Sequence, residues 1–135
     1  GLKLKRIMIV EDSALMRTII KKIVESDPEF KVVAMAKNGK EALEMLDSAS
    51  PDCILLDIEM PVMNGLTFLR HARLRTRARI VVLSSVAGAG SKNALEARRL
   101  GAAAIMSKPS GAVSLDLEEK QGQRILQTLR SVLKV

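Results

Sequence analysis

The chain has 135 residues, 47% of them hydrophobic, which suits one compact domain over residues 1–135, with its core at about 5–133, and leaves no room for a second. Its 22 Lys and Arg against 15 Asp and Glu give a net charge of +7, which would draw an acidic partner, a nucleic acid or an anionic surface without choosing among them. No apolar run approaches the roughly 20 residues of a membrane span, and the start, GLKLKR, leads into a short apolar run rather than a signal peptide. A soluble, cytoplasmic protein with no membrane partner is the expectation.

The first apolar run, Ile7 to Val10, is followed by Leu15, Ile19, Ile20, Ile23 and Val24, an apolar stripe at helical spacing opposite Arg17, Lys21 and Lys22. A second run, Val32 to Met35, precedes Asn38, which with Glu41 resembles a capping box and opens a helix burying Ala42, Leu43, Leu46 and Ala49. The third run is Cys53 to Leu56; beyond it Asn64 can cap a helix carrying Leu66, Phe68 and Leu69. The fourth, Ile80 to Leu83, leads to a helix from Ser91 to Leu100 closed by Gly101. The fifth, Ala102 to Met106, leads to a helix marked by Ile125, Leu126, Leu129, Val132 and Leu133. Gly111 and the polar stretch up to Gly122 make weak helix before it.

Continuous apolar runs suit strands buried on both faces of a parallel sheet. Five β-then-α units with right-handed crossovers then give an α/β fold, a doubly wound five-stranded parallel sheet covered by helices on both faces. The single cysteine, Cys53, cannot make an internal disulfide and reads as a small buried hydrophobe. Arg70, His71, Arg73, Arg75, Arg77 and Arg79 read as a solvated helix end with cations near the C-terminal dipole. Nucleic-acid binding is the weaker second reading, because Phe30 and Phe68 are the only aromatics available for stacking.

Ligands of such sheets bind outside the carboxyl ends of the strands. The residues there are Glu11 and Asp12 after the first strand, Asp57 after the third, Ser84 and Ser85 after the fourth and Lys108 after the fifth. Three carboxylates packed together repel one another, and a hard divalent cation, Mg2+ or Mn2+, removes the conflict through oxygen ligands. Lys108 adds a point charge that can pair first with a carboxylate and then with a phosphoryl oxygen, while the Ser84 hydroxyl can donate to another. An ionised carboxylate, a metal and a cation suit acyl-phosphate chemistry, in which catalysis is chiefly positioning and charge neutralisation. Asp57 is the best nucleophile, since it ends the central apolar run, and Glu11 and Asp12 share a loop as metal partners would. Flavin binding on the same kind of sheet would need a phosphate cradle after the first strand, where Glu11 and Asp12 would repel it.

Through Ile-Val-Glu-Asp-Ser, Leu-Leu-Asp-Ile-Glu-Met-Pro-Val-Met-Asn-Gly, Leu-Ser-Ser and Ser-Lys-Pro, the sequence resembles the response-regulator receiver family over nearly its whole length. The resemblance implies a flavodoxin-like fold and a phosphoryl group taken from the phosphohistidine of a sensor kinase. It implies that Asp57 is phosphorylated, that Asp12 is a direct metal ligand, Glu11 a ligand through water and the Glu59 backbone carbonyl a third. Ser84 and Lys108 would contact the phosphoryl group, and the Lys108–Pro109 bond would be cis.

Glu-Asp-Ser-Ala-Leu-Met-Arg and Lys-Pro-Ser-Gly give a closer resemblance to the receiver half of chemotaxis protein-glutamate methylesterases, in which the receiver restrains a C-terminal esterase domain. No esterase domain lies before Val135, and His71, the only histidine, cannot complete a Ser-His-Asp set. The chain alone is therefore expected to carry no esterase activity, only metal-dependent self-phosphorylation and dephosphorylation, and to switch an effector domain or output partner. A stand-alone response regulator and a phosphorylation-independent interaction module are the alternatives. Two positions depart from the family: Ile105 stands where an aromatic switch residue is usual, and Glu11 replaces the commoner Asp.

Overall fold

The computed structural model describes residues 3–60, 63–84, 91–109 and 115–135. Five strands, β1 (Lys5–Val10), β2 (Phe30–Ala36), β3 (Cys53–Asp57), β4 (Arg79–Ser84) and β5 (Ala104–Ser107), alternate with five helices. The helices are α1 (Ala14–Glu25), α2 (Gly39–Ala49), α3 (Gly65–Ala72), α4 (Lys92–Arg99) and α5 (Leu115–Leu133). All strand pairs are parallel, in the order β2-β1-β3-β4-β5, the order of a flavodoxin-like sheet.

Alternate side chains of each strand supply two separate cores, as the period-two geometry of a strand requires. Met8, Val10, Ile54, Leu56, Ile80 and Val82 pack with Leu46, Phe68, Leu69 and Ala97 beneath α2, α3 and α4. Ile7, Ile9, Cys53, Leu55, Val81 and Leu83 pack with Ile20, Val24, Ile125 and Leu129 beneath α1 and α5. Cys53 is thus core, and burial pushes its thiol up to about 12. Ser13, Asn38, Asn64 and Ser91 each accept a backbone N–H as the N-cap of the following helix, worth about 1 kcal/mol apiece.

Four expectations about the strands and helices change. Burial on both faces applies to β1, β3 and β4; β2 and β5 are edge strands with half-buried interiors, because each has one neighbour. Strand β5 begins at Ala104 rather than Ala102, since the Ala102 N–H is used to close α4 on the Ala97 carbonyl. Leu15 does not join the buried stripe of α1: it is 68% exposed, in the first turn. Helix α5 starts at Leu115 and runs through Gly122, which is buried against Ile23 on α1.

Gly111 lies outside the described residues. No peptide bond among the described residues is cis, so the cis Lys108–Pro109 bond is not found; the trans isomer of an X–Pro bond is lower in energy by about 0.5–1 kcal/mol.

Candidate functional site

Parallel register brings the carboxyl ends of β1, β3, β4 and β5 to one edge, with Val10 beside Leu56, Asp57 beside Leu83 and Ser84 beside Ser107. Backbone bonds carry the order into the loops. The Glu11 N–H donates to the Ala36 carbonyl, Ile58 N–H to Leu83 and Lys108 N–H to Ser84. The loop after β3 is further held by Gly65, where a Cβ would lie 2.5 Å from Ile58 Cα and 2.6 Å from the Asp57 carbonyl oxygen. Only glycine lets α3 start this close to the strand that ends in Asp57.

Glu11, Asp12 and Asp57 come together, each offering a carboxylate oxygen, all within 4.8 Å of one another. Glu11 and Asp57 are only 1% exposed, while Asp12 is open to solvent. Lys108 Nζ reaches into the cluster, 2.9 Å from Glu11 Oε1 and 3.0 Å from Asp57 Oδ2. The other oxygens are fixed by backbone: the Ser13 N–H donates to Glu11 Oε2 at 2.7 Å and the Glu59 N–H to Asp57 Oδ1 at 2.9 Å. Ser84 Oγ donates to Glu59 Oε1 at 3.4 Å. Ser85 lies outside the described residues.

One ammonium cannot neutralise three carboxylates, and the protonation pattern records the imbalance. Burial, augmented by the neighbouring charge of Glu11, pushes Asp57 up to about 7 despite the Glu59 N–H and Lys108. Asp12 is lowered, chiefly by its hydrogen bond with Glu11. Lys108 is raised: burial works against its charge, but the bonds to Glu11 and Asp57 outweigh it. Apart from the ammonium, Glu11 Oε1 and Asp57 Oδ2 have no hydrogen-bond partner among the described residues, and buried charges left so exposed to one another are costly. An all-oxygen cluster of this kind fits a hard divalent cation that keeps several waters.

Arg17 escaped the reading of the sequence, where it counted only as part of the polar face of α1. Its Nη1 donates to the Glu11 carbonyl at 2.7 Å and the Asp12 carbonyl at 3.1 Å. It thereby pins the loop that carries both carboxylates. The available signal was a cation in the first turn of a helix, where the dipole disfavours it. Ile105, where the family usually has an aromatic residue, is half-buried and packs against the core beneath α4.

The family model described as the response regulator receiver domain matches residues 7–131. The chain is 44% identical over 129 residues to protein-glutamate methylesterase/protein-glutamine glutaminase 2 of Carboxydothermus hydrogenoformans, covering 96% of this chain and 36% of that protein. It spans about a third of the length of such curated relatives. The response regulator domain of Thermotoga maritima CheB superposes with a TM-score of 0.87 at 36% identity, covering 98% of both chains. A chain of the complex between the P1 domain of CheA3 and CheY6 from R. sphaeroides superposes with a TM-score of 0.82 at 48% identity, covering 99% of this chain and 100% of that one.

Proposed function

The chain belongs to the response regulator receiver family, and from that premise we propose that Asp57 accepts a phosphoryl group from a sensor histidine kinase, with Mg2+ or Mn2+ held by Glu11, Asp12, Asp57 and the Glu59 carbonyl. The observation that carries the reading is the buried Asp57 carboxylate, which shares Lys108 with Glu11 inside a three-carboxylate cluster.

An Asp57 carboxylate oxygen attacks the phosphorus of a phosphohistidine. The P–N bond breaks, its electron pair leaves on the imidazole, and a P–O bond forms to give an acyl phosphate. Bound metal would neutralise charge on the phosphoryl oxygens and keep Asp57 ionised despite its burial. The Glu59 N–H holds one Asp57 oxygen, so the carboxylate does not rotate during attack. Lys108 stands 3.0 Å from the other, placed to follow negative charge onto the phosphoryl group, and Ser84 adds a hydroxyl at the end of β4. When Lys108 turns from Glu11 toward the phosphoryl group, β5 and α4 repack, a two-state shift driven by local charge.

The domain so described spans residues 1–135, is cytoplasmic, and regulates an effector. No described helix is long and apolar enough to cross a membrane. The similarity to protein-glutamate methylesterases over 96% of this chain supports an esterase as that effector, in a parent enzyme whose receiver part alone performs no esterase chemistry. A second reading, a response regulator acting on a separate partner, is favoured by the 48% identical chain that is matched over its whole length.

Incubation with a small phosphodonor and magnesium tests the assignment. Wild type is expected to gain one phosphoryl group and Asp57→Asn none; label on Asp57→Asn would defeat it. Whether an esterase domain follows Val135 in the same reading frame decides between the two effectors.

A further inference from the structure

The other end of the sheet carries the opposite charge. Seven of the eleven arginines, Arg70, Arg73, Arg75, Arg77, Arg79, Arg98 and Arg99, gather where β4 begins and where α3 and α4 end, with no lysine among them. The acids there are too few to balance them. Glu96 pairs with Arg70 and Arg99, and Asp47 with Arg75; Asp52, across the register from this end of β4, accepts the Arg6 backbone N–H. Arg73, Arg77, Arg79 and Arg98 have no acidic partner among the described residues.

Helix dipoles account for Arg70, Arg98 and Arg99, which sit in last turns. They do not account for Arg77, in the loop before β4, or Arg79, which opens the strand, both exposed. Arg73 lies across Gly101, whose φ of +101° ends α4 and whose missing Cβ leaves the guanidinium its place, 3.2 Å away at Nε. Beside β4 the cluster is built of arginine, whereas Lys5 and Lys31 lie at the starts of β1 and β2 farther along the same edge, and arginine is the planar fork that binds phosphate two-pronged. In the turn after α3 stands Leu74, 88% exposed between Arg73 and Arg75.

We propose that this arginine end, with the exposed Leu74 among its cations, is a docking surface for an anionic phospholipid bilayer. Cations held at the headgroups and one apolar side chain reaching the acyl boundary are the two components of peripheral membrane binding. A nucleic acid would give Leu74 nothing to contact and would find no stacking ring, since Phe30 and Phe68 are buried. The expectation of no membrane partner rested on the absence of a span, and this surface needs none. A domain seated this way turns the opposite strand ends, with Asp57, away from the lipid, leaving them open to a phosphodonor.

Sedimentation with vesicles of phosphatidylcholine, with and without phosphatidylglycerol, tests the proposal on the whole chain. Wild type is expected to sediment only with the phosphatidylglycerol vesicles, and less at high salt. Each of Arg77→Gln and Arg79→Gln should weaken binding about fivefold, and Leu74→Ser should weaken it further without changing the salt dependence. Both arginine variants should accept a phosphoryl group like wild type. Failure of wild type to sediment, sedimentation with phosphatidylcholine alone, an unchanged Leu74→Ser, or tighter binding to duplex DNA than to the vesicles would each overturn it.

Discussion

The two ends of one sheet place charge in opposite ways. At the carboxyl ends of the strands, Glu11 and Asp57 are buried, aimed by backbone N–H groups and short by at least one positive charge. At the amino ends, more charges are gathered, but the arginines are exposed, and of them Arg99 is held closely, 2.6 Å from Glu96, while the others are paired at 3.3 Å or more or have no acidic partner among the described residues. The first end is built to hold charge against its own cost, and the second presents charge to whatever meets it. Burial and fixed direction, rather than the number of charges, mark the end to which we assign the chemistry.

The sharpest way to break this contrast is to remove the one internal cation. Lys108→Met leaves two buried carboxylates without their partner, and unfolding in urea at pH 8 should show a loss approaching 3 kcal/mol, the range for a broken buried pair. Metal should recover part of it.

A pH series on metal-free wild type comes next. Asp57 is raised from 3.8 to about 7 in the folded chain, so between those values the native state holds a proton that the unfolded chain has released. Stability must then fall as pH rises through this window. The lowered Asp12 acts in the opposite sense, but below pH 3.8. Magnesium should flatten the slope, whereas charge reversal at the arginine end should leave it unchanged.

Gly65→Ala forces a Cβ against the backbone of Ile58 and Asp57. A loss of about 1–3 kcal/mol in thermal unfolding is expected, as for other overpacked sites, with slower phosphoryl uptake. Arg17→Met should weaken magnesium binding by about tenfold in calorimetry, in the range for residues that orient metal ligands, and rates should recover at saturating metal. At the opposite end, Arg75→Gln breaks an exposed pair with Asp47 and should change stability by less than about 0.5 kcal/mol.

The fold was largely legible because continuous apolar runs have one comfortable home, a parallel sheet. Every run named from the sequence lies in or overlaps a strand. The misreadings came where neighbours decide: Ala102 spent closing α4, the weak stretch before Gly122 held as helix with Gly122 against α1, Leu15 left exposed, and edge strands covered less than central ones. Among the site residues, carboxylates and a lysine at strand ends could be expected to converge from topology alone. Arg17 could not, because its partners are carbonyl oxygens, which every residue carries and no sequence distinguishes.

Borohydride reduction after phosphorylation with a small phosphodonor converts an acyl phosphate to an alcohol and so marks the acceptor permanently. Peptide mass spectrometry should then find homoserine at position 57 alone, and only in samples that contained magnesium or manganese. Reduction at Glu11, Asp12 or Glu59 instead, or equal labelling in the presence of a chelator, would contradict the account of this buried carboxylate as the phosphoryl acceptor.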